Sequence, residues 1–504
     1  MEKRTLIQWC GLFGGPLLAL LVYVLMPEAY RGADGQDIVL GQAAAATAAV
    51  AMLMATWWLT EAIPIPATAL LPIALLPIFG GASVKQATAP YGHYLIFLFL
   101  GGFILSLAME RWGLHRRIAL KTLSLVGTRP DRMIGGFMLT TAGLSMWVSN
   151  TATTIMMLPI ALSVIELVTD IDHDADTQPD EVELKHFSLA LLLGIAYAAS
   201  IGGMGSLIGT PPNLFLASFV KETYGVEISF VQWLAIGIPL VALFLPVAWW
   251  LLTRWVFPLG GLRLEGGEEL VRREYAQLGP ITRAEKMTLM VFVLAGLSWV
   301  TRPLLTQISI GGIQPLAGLS DTGIAVLAAL VLFVLPVDAR RGVFVMDWDT
   351  AKKLPWGILL LFGGGLSLAW ALDHNGVGAF LGQQVAGLSG IHPGLLVVLV
   401  YLLVMAVTEL TSNTATTATM VPILAAVAVA VHVHPYLLII TATLAASCAF
   451  MMPVATPPNA IVFSSGRITI VQMCVAGIVL NLAGAVLIPA LVYWFALPML
   501  GVQP

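Results

Sequence analysis

Residues 149–160 read SNTATTIMMLPI, and residues 412–423 read SNTATTATMVPI. A second matched pair follows in the same order, GTPPN at 209–213 and ATPPN at 455–459. Small hydroxyl and amide residues beside prolines let a membrane helix open around a polar site, and related halves of one chain build such sites in secondary transporters. The plainer reading is that Ser and Thr join helices by hydrogen bonds while Pro only kinks them. One copy would fit that reading. Two copies, each followed by its own Thr-Pro-Pro-Asn break, point to transport.

The rest of the chain sets these motifs in a bilayer. Of its 504 residues, 58% are hydrophobic and only 10% charged, more apolar surface than a soluble chain can bury, so the expected class is an all-α polytopic membrane protein. Cys10, Cys448 and Cys474 lie in apolar segments without metal-ligand spacing and read as small buried hydrophobes. The start, MEKR followed by an apolar run, reads as a first span, because residues 17–26 lead into no small-residue cleavage site. HExxH, GxSxG and Walker A patterns are absent, and the longest polar stretch, 258–286, is too short for a nucleotide-driven motor.

Apolar stretches of spanning length lie near 8–26, 41–60, 62–79, 94–110, 187–220, 231–256, 287–302, 322–337, 354–372, 436–463 and 470–498. The stretches near 134–165 and 394–431 hold the Ser-Asn-Thr motifs and read as re-entrant hairpins, which leaves about eleven transmembrane helices. Lys and Arg support that choice. With the N-terminus inside, only Arg31, Lys85, Lys221 and Arg302 fall outside, and every other basic residue is cytoplasmic. If the first hairpin crossed the membrane, the basic loop 254–286 would move outside.

The two hairpins then enter from opposite sides, and each half has an odd number of crossings, so the halves are inverted repeats. The expected organisation is an N-terminal span in 1–40 and a first repeat over 41–256, with its cytoplasmic-side hairpin at 134–165. A cytoplasmic linker, 257–286, leads to a second repeat over 287–504 with an outer-side hairpin at 394–431. LGGFILSLA at 100–108 resembles FGGGLSLAW at 362–370, in support of this alignment. The polar insert at 170–186, DIDHDADTQPDEVELKH, reads as a solvated cytoplasmic loop rather than a metal site.

At each hairpin tip, opened backbone turns carbonyl and N–H groups toward a cavity. Carbonyl and hydroxyl oxygens are hard ligands suited to Na+, and half-helix N-termini attract anions. No Lys or Arg lies in 133–165, 186–220, 394–431 or 436–463. A bound dianion would therefore need charge from elsewhere, and co-bound cations would supply it. Two acids lie in apolar sequence: Glu61, before two prolines, fits a cap or interface as well as transport, and Glu409, three residues before Ser412, fits hairpin orientation or cation coupling equally. His93, His115 and His392 sit near span ends, where an interfacial role is usual.

WWLTEAIPIPATALLP (57–72), SIGGMGSLIGTPPN (200–213), SCAFMMPVATPPNAIV (447–462) and both Ser-Asn-Thr motifs resemble the divalent-anion/sodium symporter family, the INDY-type di- and tricarboxylate transporters. The resemblance runs over essentially the whole chain. It implies a homodimer in the lipid bilayer working by an elevator movement, in a bacterial cytoplasmic (inner) membrane with the N-terminus inside. It implies one Na+ position at Ser145, Ser149, Asn150 and Gly209, and another at Thr408, Thr411, Asn413 and Ala455, several through carbonyls. Asn150 and Thr151 would face Asn413 and Thr414 across the carboxylates, and Thr210, Thr456 and Pro457 would close the pocket. Thr411 stands where other members often carry a smaller residue. No nucleic acid partner is expected. The function implied is Na+-coupled uptake of a C4-dicarboxylate such as succinate. The alternatives are a sodium-independent dicarboxylate exchanger, a citrate or sulfate carrier of the same family, and, from other classes, an anion channel or a membrane enzyme.

Overall fold

Proline and glycine decide where the helices stop. The computed structural model describes residues 5–31, 37–124, 129–171, 181–260, 267–310, 313–384 and 390–502, almost all of it helix. Among the described residues, nine helices are long and apolar enough to cross a bilayer, and all but Asn413–Ala430 fall on expected spans. Asn413–Ala430 is the second arm of a hairpin, so length and apolarity alone would miscount it.

Besides 187–220, three expected spans are short or broken. The stretch 62–79 forms two short helices, Ile65–Thr68 and Leu71–Ile78. Pro64, Pro66, Pro72 and Pro77 deny it the N–H groups that a continuous helix needs. The stretch 322–337 becomes Asp321–Val334, which Pro336 follows. The stretch 436–463 holds Pro435–Ala446 and Pro457–Phe463, with a non-helical segment between them.

The first hairpin has arms Pro130–Ser145 and Asn150–Ile171, and the second Pro393–Thr408 and Asn413–Ala430. Beside the first lies a broken helix, Glu181–Gly203 followed by Pro211–Tyr224. Pro435–Ala446 and Pro457–Phe463 are its counterpart beside the second. Both broken helices are interior elements: every residue from Phe187 to Gly203 and from Tyr436 to Ala446 is buried. Outer helices do the opposite. Leu6–Leu25 buries only Gly11 and Gly15, and Arg283–Leu305 leaves Met290, Leu294 and Leu297 exposed, as a lipid-facing surface requires.

The halves share finer detail. Phe230–Trp250 and Ile470–Leu491 each begin with a capping box, Ser229 with Gln232 and Thr469 with Gln472. Each continues into a π-helical turn, Leu251–Val256 and Val492–Ala496. Gly237 and Gly477 occupy matching places, and a Cβ on either would come within 2.5 Å of a carbonyl in the neighbouring helix break. Two small antiparallel ribbons lie between spans, Ala29–Arg31 with Asp37–Val39 and Pro336–Asp338 with Val343–Phe344.

Between the halves, Gly267–Gln277 is helical, and the chain after it is pinned by buried Arg117. Its guanidinium donates to both carboxylate oxygens of Glu285, at 2.7 and 3.2 Å, and to the carbonyls of Leu278 and Gly279. Much of the polar insert, 172–180, lies outside the described residues, and so does the metal reading attached to it.

Candidate functional site

Each hairpin tip is built by six residues of sequence. Ser145 closes one helix and Asn150 opens the next; Thr408 and Asn413 do the same in the second hairpin. The Ser145 hydroxyl lies 2.5 Å from Asn150 Oδ1 and 2.8 Å from the Ala199 carbonyl. The Thr408 hydroxyl lies 2.8 Å from Asn413 Oδ1 and 2.8 Å from the Ala446 carbonyl. One turn further on, Thr154 and Thr417 donate to the carbonyls of Asn150 and Asn413, both at 2.8 Å.

The helix breaks are clamped in the same way. The Asn213 amide donates to the carbonyls of Gly203, Met204 and Ser206, at 3.1, 3.4 and 2.7 Å. The Asn459 amide donates to those of Ala449 and Met452, both at 3.0 Å. Both side chains are fully buried, and each leaves its Oδ1 without a donor among the described residues. Close approach at the first tip depends on glycine: a Cβ on Gly203 would stand 2.7 Å from Asn150 Oδ1, and one on Gly209 would stand 2.5 Å from the Gly203 carbonyl.

The tips and breaks meet at one cavity of about 1000 Å³. Ser149, Asn150, Thr151, Gly209, Thr210, Thr411, Asn413, Thr414, Ala455, Thr456 and Pro457 all line it. Ser145 and Thr408 do not; they are wholly buried behind the asparagines, and their hydroxyls hold the two amides in place. The hydroxyl of Thr411 is turned away as well, bonded to the Val407 carbonyl at 2.9 Å and to Thr416 at 2.6 Å.

Four helices start on the cavity wall, at Asn150, Pro211, Asn413 and Pro457. Their N-termini present positive dipole ends to an anion, at roughly half a charge each before screening. The matching C-terminal ends, at Ser145, Gly203, Thr408 and Ala446, turn negative ends toward the same region and favour cations. Four N-termini are nominally comparable with a dianion, but the four C-terminal ends oppose them, so co-bound cations still help to balance its charge.

The cavity wall also holds residues that the sequence did not single out. Glu110 and Lys353 line it with Glu61, and Lys353 is exposed. Nothing in the sequence placed Lys353 there, since it lies in a loop far from either motif. Glu61 takes the capping role: it ends Gln42–Thr60 in the left-handed conformation, φ 48°, with its N–H on the Trp57 carbonyl. His392 caps Pro393–Thr408 by accepting from the Gly394 N–H, and His93 stands at the N-terminal end of Tyr94–Arg111. Glu409 is fully engaged: its carboxylate accepts from the N–H groups of Phe450, Met451 and Met452 and from the Asn481 amide.

Comparison with known proteins places this architecture. The family model described as the sodium:sulfate symporter transmembrane region matches residues 16–500. The sodium-dependent dicarboxylate transporter SdcS of Staphylococcus saprophyticus is 42% identical over 497 residues, covering 98% of this chain and 93% of that one. SdcS of Staphylococcus aureus is also 42% identical, covering 98% and 92%. Among solved structures, the Neisseria gonorrhoeae MtrF efflux pump aligns with a TM-score of 0.60 at 14% identity, over 98% of this chain and 95% of that one. The Alcanivorax borkumensis YdaH transporter aligns with a TM-score of 0.56 at 13% identity, over 97% and 98%. At that identity the two structures speak for the fold alone.

Proposed function

The chain belongs to the sodium:sulfate symporter family, and from that premise we propose that it couples Na+ entry to uptake of a C4-dicarboxylate such as succinate. The observation that carries this reading is the 42% identity to sodium-dependent dicarboxylate transporters across 98% of the chain. The site supports it chemically. Oxygen donors beside helix C-termini suit a hard cation, and helix N-termini on the same wall suit carboxylates.

The roles that the family resemblance implies are compatible with this geometry. Asn150 and Asn413 stand between the two ligand types, each able to offer an oxygen to Na+ and an N–H to a carboxylate. Thr151 and Thr414 add hydroxyls to the anion. Thr210, Thr456 and Pro457 shape the floor, while Ser149, Gly209, Thr411 and Ala455 contribute cation positions through oxygens that include backbone carbonyls. Ser145 and Thr408 act one layer back, through their hydrogen bonds to the asparagines.

The cavity is also lined by Thr5, Gln8, Glu61 and Lys353. In the orientation proposed, with the N-terminus in the cytoplasm, these residues lie on the inner side and the cavity opens inward. An elevator cycle in a homodimer would carry the hairpins and broken helices, as one inverted pair, to the outer face. The deciding experiment is uptake of labelled succinate into proteoliposomes under an inward Na+ gradient against an equal K+ gradient. Accumulation with Na+ alone is the expected result. Equal uptake in both, increased by succinate preloaded inside, would establish exchange instead.

A further inference from the structure

The two hairpin tips match atom for atom in their hydroxyl–amide pairs, but not in charge. Glu409 directly follows Thr408 and is 5% exposed. The matching position after Ser145 is Met146. Glu409 Oε1 accepts from the Phe450 N–H at 2.9 Å, the Met451 N–H at 3.0 Å and Asn481 Nδ2 at 2.7 Å. Its Oε2 accepts from the N–H groups of Met451 at 3.0 Å and Met452 at 3.1 Å. Both oxygens meet donors only, an arrangement that suits the ionised form and leaves a carboxyl proton nothing to bond.

No Lys or Arg lies in 394–431, 436–463 or Ile470–Leu491, the elements around it. The charge is therefore spread over backbone dipoles and the Asn481 amide, and among the described residues no side-chain cation pairs with it. We propose that Glu409 is a positioning residue that makes the cation position at Asn413 the tighter of the two and the one filled first. This rests on the reading that Asn150 and Asn413 mark the Na+ positions. The carboxylate acts in two ways. It holds the N–H side of the break at Phe450–Met452 while Asn459 holds the carbonyl side, so the backbone toward Ala455 is fixed before any ligand arrives. It also places a full negative charge one residue from Thr408 and four from Asn413, where water is largely excluded and screening is weak. At the first tip the same work is done without charge: Ser206 donates to the Met146 carbonyl and accepts from the Gly209 N–H.

The test is equilibrium binding of radiolabelled Na+ to the purified full-length chain, without carboxylate. The Asn150→Ala chain, which keeps the second position, is expected to bind Na+ about tenfold or more tightly than the Asn413→Ala chain, which keeps the first. This comparison leaves Glu409 untouched, and equal affinities would overturn the proposal. Adding Glu409→Gln to the Asn150→Ala chain is expected to weaken binding about tenfold, and adding it to the Asn413→Ala chain to change it less than about twofold. Glu409→Asp, which keeps the charge, is expected to bind Na+ more tightly than Glu409→Gln in the Asn150→Ala chain. Equal weakening in both backgrounds, or equal losses for Asp and Gln, would leave only a scaffolding role and defeat the proposal. If neither asparagine variant lowers the amount of Na+ bound, the assignment of the cation positions has failed, and that result is recognisable whatever Glu409 does.

Discussion

The two helix breaks do the same work with different chemistry. At the first, glycines at 202, 203, 205 and 209 let backbone approach backbone, Ser206 bridges to the hairpin, and Trp233 donates to the Met204 carbonyl. At the second, the break carries side chains instead, among them Ala449, Phe450, Met451 and Met452, and the Glu409 carboxylate and the Asn481 amide form the bridge. Val241 stands where the capping boxes align Asn481, so the first half lacks both polar partners. The two halves therefore keep the same hydroxyl–amide pairs at their tips while the layer that supports them differs.

That comparison can be broken. The largest effect is expected at the tips: Asn150→Ala and Asn413→Ala should each lower succinate uptake roughly a hundredfold or more, because a buried pair of ligand types loses its shared amide. The variants should still elute as folded protein at the size of the unmodified chain, and near-normal uptake in either would remove that asparagine from the site. Next come the glycines. Gly203→Ala puts a Cβ 2.7 Å from Asn150 Oδ1, so transport should fall sharply and stability by about 1–3 kcal/mol. Ala449, whose carbonyl the Asn459 amide holds as Asn213 holds that of Gly203, already carries a Cβ, and Ala449→Gly should lose only about 1 kcal/mol; thermal unfolding of both would show whether the first break alone depends on glycine.

Smaller effects sharpen the same contrast. Asn213→Ala and Asn459→Ala each free buried carbonyls and should cost about 1–3 kcal/mol in thermal unfolding. The Asn459 loss should be the milder, because Glu409 still holds that break. Smallest are Ser145→Ala and Thr408→Val, which remove one hydroxyl behind each asparagine. Each should cost about 1 kcal/mol and raise the Na+ concentration for half-maximal uptake severalfold. An unchanged Na+ dependence in both would show that the hydroxyls do not orient the amides.

Much of this was legible in the sequence. The repeated Ser-Asn-Thr and Thr-Pro-Pro-Asn peptides located both tips and both breaks, since proline and small polar residues disrupt an apolar helix wherever they occur. The site residues carried over from the family resemblance all lie at one cavity or directly behind its wall. Other features were hidden because they depend on distance through space. The family resemblance makes Ser145 and Thr408 part of the Na+ positions; the fold sets both behind the asparagines. The prolines of 62–79 were visible, yet their combined effect, two short helices in place of a span, was not read from them. Asn213 and Asn459 carried a signal in their repetition, but not their role as clamps on carbonyls.

The sequence by itself determined the class of molecule, the doubling of the site and the polar chemistry at each tip, because hydropathy, repetition and helix-breaking residues act locally. Only the tertiary structure decided that four helix N-termini share one wall and that Lys353 lines the same cavity. It alone gave Glu409 its partners, 41 to 72 residues further along the chain. Such arrangements come from how inverted halves pack. A buried carboxylate takes its meaning from the donors that surround it, and no local pattern of residues states which those are.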